Sequence, residues 1–274
     1  MMGCSSIKEP QQPLRLTDAD SMLRNGLELE SKGNYQDAGS YYRVAQGMYE
    51  EYAKMDGVLA CLSGNCRISL LQNLDKSYLE QKEYMQEIID EVSPELAYYM
   101  LLLKLFELQQ SKDYASIAEI AVYNDNTPLS AKLQIATAKL QALAYQQSGT
   151  VKFAHEVENL AKAYNKQLRK KASGDADLLS SAWYAIAYYH YVNSAFRDAV
   201  SYLDKAISSD FRYGNTAGLG HDYWLMGQVE AKRGNRDKAL ACLRKAEFIF
   251  RSGDYSTALQ GVTEEIYRLK GDTP

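Results

Sequence analysis

"HDYWLMGQVEAKRGNRDKALACLRKAEF", residues 221–248, is the stretch that decides the fold. From Gly227 it runs Gly234, Arg236, Ala239, Leu243 and Ala246, at intervals of 7, 2, 3, 4 and 3. "SAWYAIAYYHYVNSAFRDAVSYLDKAIS", residues 181–208, repeats those intervals with Ala187, Ser194, Phe196, Ala199, Leu203 and Ala206. "SMLRNGLELESKGNYQDAGSYYRVAQ", residues 21–46, repeats them again with Gly26, Gly33, Tyr35, Ala38, Tyr42 and Ala45. A large residue stands four before each opening small one: Met22, Trp183 and Tyr223. Self-similarity at a fixed spacing is the mark of a repeat architecture, in which each unit buries its apolar face only against its neighbours.

The spacing describes a helical hairpin. A small residue in the first helix (Gly26, Ala187, Gly227) admits a close second helix, and a small or polar pair (Gly33-Asn34, Asn193-Ser194, Gly234-Asn235) reverses the chain. Ala38, Ala199 and Ala239 nest against the first helix, and Tyr42, Leu203 and Leu243 are expected to pack into the neighbouring unit. On these residues the chain resembles the tetratricopeptide repeat (TPR) family. The resemblance implies an all-α fold: a right-handed α-solenoid of about six TPR or TPR-like helix pairs plus a C-terminal capping helix, over residues 19–274.

Between the three clear repeats the signature fades. Residues 97–124 keep the intervals with Leu105, Lys112, Tyr114, Ile117, Ala121 and Asn124, a divergent repeat. Residues 56–92 and 128–170 have helical periodicity with hairpin-like breaks at "QNLDKS" and "QQSGT" and count as helix pairs by position alone. "SDFRYGNTAGLG", residues 209–220, reads as a glycine-rich loop between repeats. "DYSTALQGVTEEIYRLKG" reads as the final helix, capped by Asp254 or Ser256, with Gln260, Glu264, Glu265 and Arg268 on a polar face. Basic "KQLRKK", residues 166–171, reads as a helix C-terminus complementing the dipole.

Composition excludes several functions. A net charge of −4 offers no basic footprint for nucleic acid. No apolar run reaches the roughly 18 residues of a membrane span. Cys61 and Cys66, five apart on one helix, suit neither a local disulfide nor a zinc knuckle, and Cys242 reads as a small buried apolar residue. Among His155, His190 and His221, His190 falls on a packing face as a satisfied inter-helix residue. No metal-ligand, phosphate-loop or catalytic pattern occurs, so the expectation is a non-enzymatic protein with no cofactor and no metal.

A TPR resemblance implies recognition, through first helices that line a concave surface. With Trp183, Ile186, Ala187 and His190 on the packing side, Tyr184, Tyr188 and Tyr191 form an exposed stripe. The matching stripe of the next repeat carries His221, Trp224 and Gln228, and that of the divergent repeat carries Tyr99 and Phe106. Such an aromatic-rich groove suits an extended peptide or a partner helix; the alternative is that these aromatics fill the inside of a tight superhelix or pack on residues 212–220. Tyrosine is abundant, 22 against 6 Phe and 2 Trp, which fits both a thin packed layer and a binding face.

The opening "MMGCSS" resembles the lipobox of a bacterial lipoprotein, with Gly3 before a lipidated Cys4 and residues 1–18 as lipobox remnant and tether. It implies an outer-membrane lipoprotein facing the periplasm, held through Cys4 alone, although the three residues upstream could not direct export. The alternative is a cytoplasmic TPR scaffold or peptide-sensing regulator.

Overall fold

The computed structural model describes residues 13–120, 127–170 and 176–271. Among these there are thirteen α-helices and no strand. The chain forms two compact units, residues 1–107 and 108–274.

The first unit contains α1 (Leu14–Ser31), α2 (Tyr35–Glu50), α3 (Met55–Leu71), α4 (Asp75–Glu91), a 3-10 turn (Pro94–Leu96) and most of α5 (Tyr98–Gln110). α1, α2, α3 and α4 pack each on the next, and α1 also meets α3. α1 starts at Leu14, inside the expected tether, because Leu16 and Ala19 are buried in the core of this unit. The ring of Tyr42 fills the centre. It is fully buried between Gly26 of α1 and Gly64 of α3, where a Cβ on either glycine would stand 2.5 Å from a ring carbon. Tyr42 therefore packs on its own hairpin as well as on the neighbouring helix that the spacing suggested. Its hydroxyl donates to Glu30 at 2.5 Å, and Arg67 grips the same carboxylate through Nε (2.7 Å) and Nη2 (2.8 Å). Tyr49 likewise donates to Asp20 and Tyr78 to Glu107, so buried tyrosines here end on carboxylates.

The second unit contains α6 (Tyr114–Glu119), α7 (Leu129–Tyr145), α8 (Val151–Lys170), α9 (Ala176–Val192), α10 (Phe196–Tyr213), α11 (Thr216–Lys232), α12 (Arg236–Ser252) and α13 (Ser256–Lys270). Each packs on its successor, and α9 also contacts α7 and α11. Leu243 lies on Gly227 within its own hairpin, where a glycine Cβ would be 2.7 Å from the leucine. Ala187, Ala199, Leu203 and Val229 share one buried cluster across α9, α10 and α11.

One turn recurs throughout. Gly33, Asn73, Lys112, Gln147, Ser194 and Gly234 all have positive φ, and the residue after each donates its N–H back across six residues. Those bonds, from Asn34 to Leu29 through Asn235 to Glu230, measure 2.8–2.9 Å. This helix-ending closure satisfies carbonyls that the last turn leaves open. Ala53, Gly214 and Asp254 make the same closure at three other helix junctions. The "QNLDKS" and "QQSGT" breaks thus reverse the chain as the glycine-bearing turns do.

Four sequence expectations are corrected. Residues 209–220 are not a loop: α10 runs to Tyr213, Gly214 and Asn215 make a two-residue turn, and Gly218 and Gly220 are helical. Those glycines are small because side chains cross them, Asp210 at Gly218 and Phe250 at Gly220. α13 takes Tyr255 as its N-cap with no side-chain cap, since Asp254 is used for the positive-φ turn. Cys242 is half-buried rather than buried, while Cys61 and Cys66 are buried free thiols raised by desolvation to about 12. His190 is buried against the Tyr202 ring at 5.3 Å, but its Nε2 has no hydrogen-bond partner among the described residues, and burial lowers its basicity.

Candidate recognition surface

The expected groove residues fall in both units and do different things. Tyr99 and Phe106 belong to α5 in the first unit, both half-buried. Tyr99 stacks on Tyr98 (4.6 Å), and both hydroxyls go to Asp56 of α3, Tyr98 to Oδ1 at 2.8 Å and Tyr99 to the carbonyl oxygen at 3.0 Å. Tyr99 therefore ties α5 to α3.

In the second unit Trp183, Ile186, Ala187 and His190 are buried, and Tyr184, Tyr188 and Tyr191 are half-buried on the remaining face of α9. Tyr188 and Tyr191 are the middle of a run of rings that sequence spacing could not assemble. Tyr114 of α6 stacks on Tyr145 at the end of α7 (4.6 Å), Tyr145 meets Tyr188 (5.2 Å), Tyr188 meets Tyr191 (6.2 Å), and Tyr191 meets Phe196 of α10 (6.3 Å). Tyr145 is 54% exposed. The hydroxyls of Tyr145, Tyr188 and Tyr191 make no hydrogen bond among the described residues. Desolvation raises all three phenols, so each remains a protonated donor at neutral pH. Their counterparts in the first unit are tied to carboxylates; these are not.

His221, Trp224 and Gln228 follow one face of α11 toward α13. Trp224 Nε1 donates to Glu265 Oε2 at 2.6 Å, and Gln228 Nε2 donates to the same oxygen at 3.0 Å. The indole covers Gly261 and meets the Phe250 ring edge-on at 6.0 Å. Glu265 thus turns inward from the expected polar face, and Arg268 pairs with its other oxygen. Trp224 and Gln228 hold the C-terminal helix in place. His221, beside Trp224 and Phe250, lies at the rim of a cavity that Tyr184 also lines.

Cys4 lies outside the described residues, as do Ala121 and Asn124 of the divergent repeat. Among the described residues no three His, Cys, Asp or Glu side chains could hold a metal ion, and no helix is long and apolar enough to cross a membrane. No protein-family model matches the chain, and no curated protein matches it.

Proposed function

We propose that this chain is a non-enzymatic interaction adaptor of the TPR type, a right-handed α-solenoid of six helix pairs and a terminal helix, anchored to the bacterial envelope through acylated Cys4. The partner is an extended peptide or a helix, and it docks on the seam of Tyr114, Tyr145, Tyr188, Tyr191 and Phe196. The observation that carries this reading is the set of phenols at Tyr145, Tyr188 and Tyr191, packed ring to ring yet with no hydrogen-bond partner among the described residues. Tyrosine, a rigid aromatic with a polar tip, is among the side chains enriched at interaction hot spots. The recurring turn and the shared intervals support the repeat assignment, and the Gly-Cys-Ser opening supports the anchor.

Two experiments test the parts separately. Benzoylphenylalanine placed at Tyr188 should give a discrete crosslinked product in the native host, and the same probe at exposed Lys76 should give none. Equal or absent crosslinking at both positions refutes the seam. Palmitate labelling that is lost in Cys4→Ser supports the anchor, whereas unlabelled protein in the cytosol assigns the chain to an intracellular scaffold.

A further inference from the structure

Of the four acids buried among the described residues, Glu230 and Glu247 carry arginine partners, and the half-buried Glu30 and Glu107 carry basic partners too. Glu230 has Arg233, Glu247 has Arg244 and Arg251, Glu30 has Arg67, and Glu107 has Lys82 and Lys104. Asp210 and Asp222 break the pattern. They are 3% and 1% exposed, lie within hydrogen-bonding reach of each other, and form no salt bridge among the described residues. Asp210 receives Nδ2 of Asn215 at 3.0 Å, which fixes the turn between α10 and α11. Asp222 serves no turn, and its buried Oδ2 has no hydrogen-bond partner among the described residues.

Both carboxyls line a cavity of about 220 Å³ between α7, α9, α10 and α11. That is below the roughly 300–1,000 Å³ of sites for whole small molecules, so it fits one side chain rather than a metabolite. Among the described residues no lysine or arginine lines it; Tyr184 and His221 form walls, with the Gln141 amide and the Ser181 hydroxyl beside them. Gly218 stands one helical turn before Asp222, and its missing side chain leaves Asp210 open to the cavity.

We propose that this cavity receives the guanidinium or ammonium head of an arginine or lysine side chain from the docked partner, with Asp222 and Asp210 as acceptors and the Tyr184 ring against the alkyl stem. The partner clause rests on the function proposed above; the cation site itself does not. A basic head supplies the charge that the protein withholds, and a ring beside it adds cation–π attraction. Without a cation the pair shares one proton, held on Asp222, whose carboxyl burial and Asp210 together push well above the usual range. Binding must release that proton. The other titratable groups facing it are Asp210 of α10, His221 of α11 and Tyr184 of α9. Burial lowers the His221 pKa and raises that of Tyr184, so both are neutral at pH 7–8.5.

The test uses the purified chain, with N-acetyl-arginine amide and N-acetyl-lysine amide as probes and N-acetyl-citrulline amide as the neutral isostere. NMR should show saturable shifts of the Gln141 and Asn215 side-chain amides with the cationic probes only. Affinity should rise with pH between 7 and 8.5, by up to about tenfold per unit, as one proton leaves per probe bound. Asp222→Asn should weaken binding at least tenfold and remove the pH dependence. Ser181→Lys, which tethers a cation at the cavity mouth, should block the probes and raise the melting temperature. Equal binding of citrulline, pH-independent affinity, or full affinity in Asp222→Asn overturns the site. Crosslinks at Tyr188 without probe binding sink this inference alone; probe binding without crosslinks sinks only the partner.

Discussion

Replacing Gly64 by alanine should destabilise the first unit, although alanine is the better helix former. Gly64 sits inside α3, where the exchange by itself gains about 1 kcal/mol of helix propensity. The new methyl would stand 2.5 Å from Cε2 and 2.6 Å from Cζ of Tyr42. The ring cannot withdraw, because Gly26 is equally close at its opposite edge and Glu30, clamped by Arg67, holds the hydroxyl. Overpacking of this kind costs about 1–3 kcal/mol, and a ring confined at both edges belongs at the upper end. The net loss should be about 1–2 kcal/mol. Gly47, in α2, has nothing within 4 Å of its would-be Cβ, so Gly47→Ala should gain about 0.5–1 kcal/mol. Urea denaturation followed by circular dichroism should separate the two variants by about 1.5–3 kcal/mol, on the order of 1 M in midpoint. In a Tyr42→Leu background the cost of Gly64→Ala should shrink. If Gly64→Ala proves as stable as Gly47→Ala, Tyr42 is not confined and the account of this core is wrong.

Asp222→Asn should stabilise the protein increasingly as pH rises. The folded pKa of Asp222 lies above its unfolded value, so its favourable contribution is complete below about pH 4 and is lost on the way up to the folded pKa, by at most about 1.4 kcal/mol per unit. Melting curves at pH 5 and pH 8 should therefore show a variant advantage that grows with pH, and a constant offset refutes it. Ser194→Gly should gain up to about 1 kcal/mol and Gly234→Ala should lose about 1–2 kcal/mol, because both positions are left-handed; opposite signs in thermal melts check this. Glu265→Ala strands the Trp224 indole N–H and the Gln228 amide at a cost of about 1–3 kcal/mol. Its readout is a red-shifted tryptophan emission together with faster hydrogen exchange in α13, and unchanged emission refutes the clamp.

The hairpins at residues 21–46, 181–208 and 221–248 were legible because small residues at fixed intervals record a close helix approach directly. Asn73 and Gln147 make the same turn as Gly33, yet nothing in their side chains announces a left-handed backbone. The glycines at 218 and 220 misled for the opposite reason: they signal contact with Asp210 and Phe250, and composition alone equates glycine with a loop. Tyr184, Tyr188 and Tyr191 lay on the face that helical periodicity assigned them. Tyr145 and Tyr114 could not be added to that stripe, since they reach it from other helices. Trp224 and Glu265 are 41 residues apart, and hydropathy carries no sign that an acid in a polar face turns inward. Asp210 and Asp222 were invisible for the same reason, because a buried acid and a solvated one are the same letter.

The recurring closure at helix ends has a mechanical consequence. Each reversal is sealed by a bond spanning six residues, and the left-handed residues at 33 and 73 are 40 positions apart. Under tension a helix pair can peel away while its neighbours keep their own seals, releasing on the order of 130 Å of contour at about 3.3–3.6 Å per residue. Tyr42 sets the exception. By filling glycines on both α1 and α3 it rivets the first two pairs together, so under load they should yield in a single step of double length.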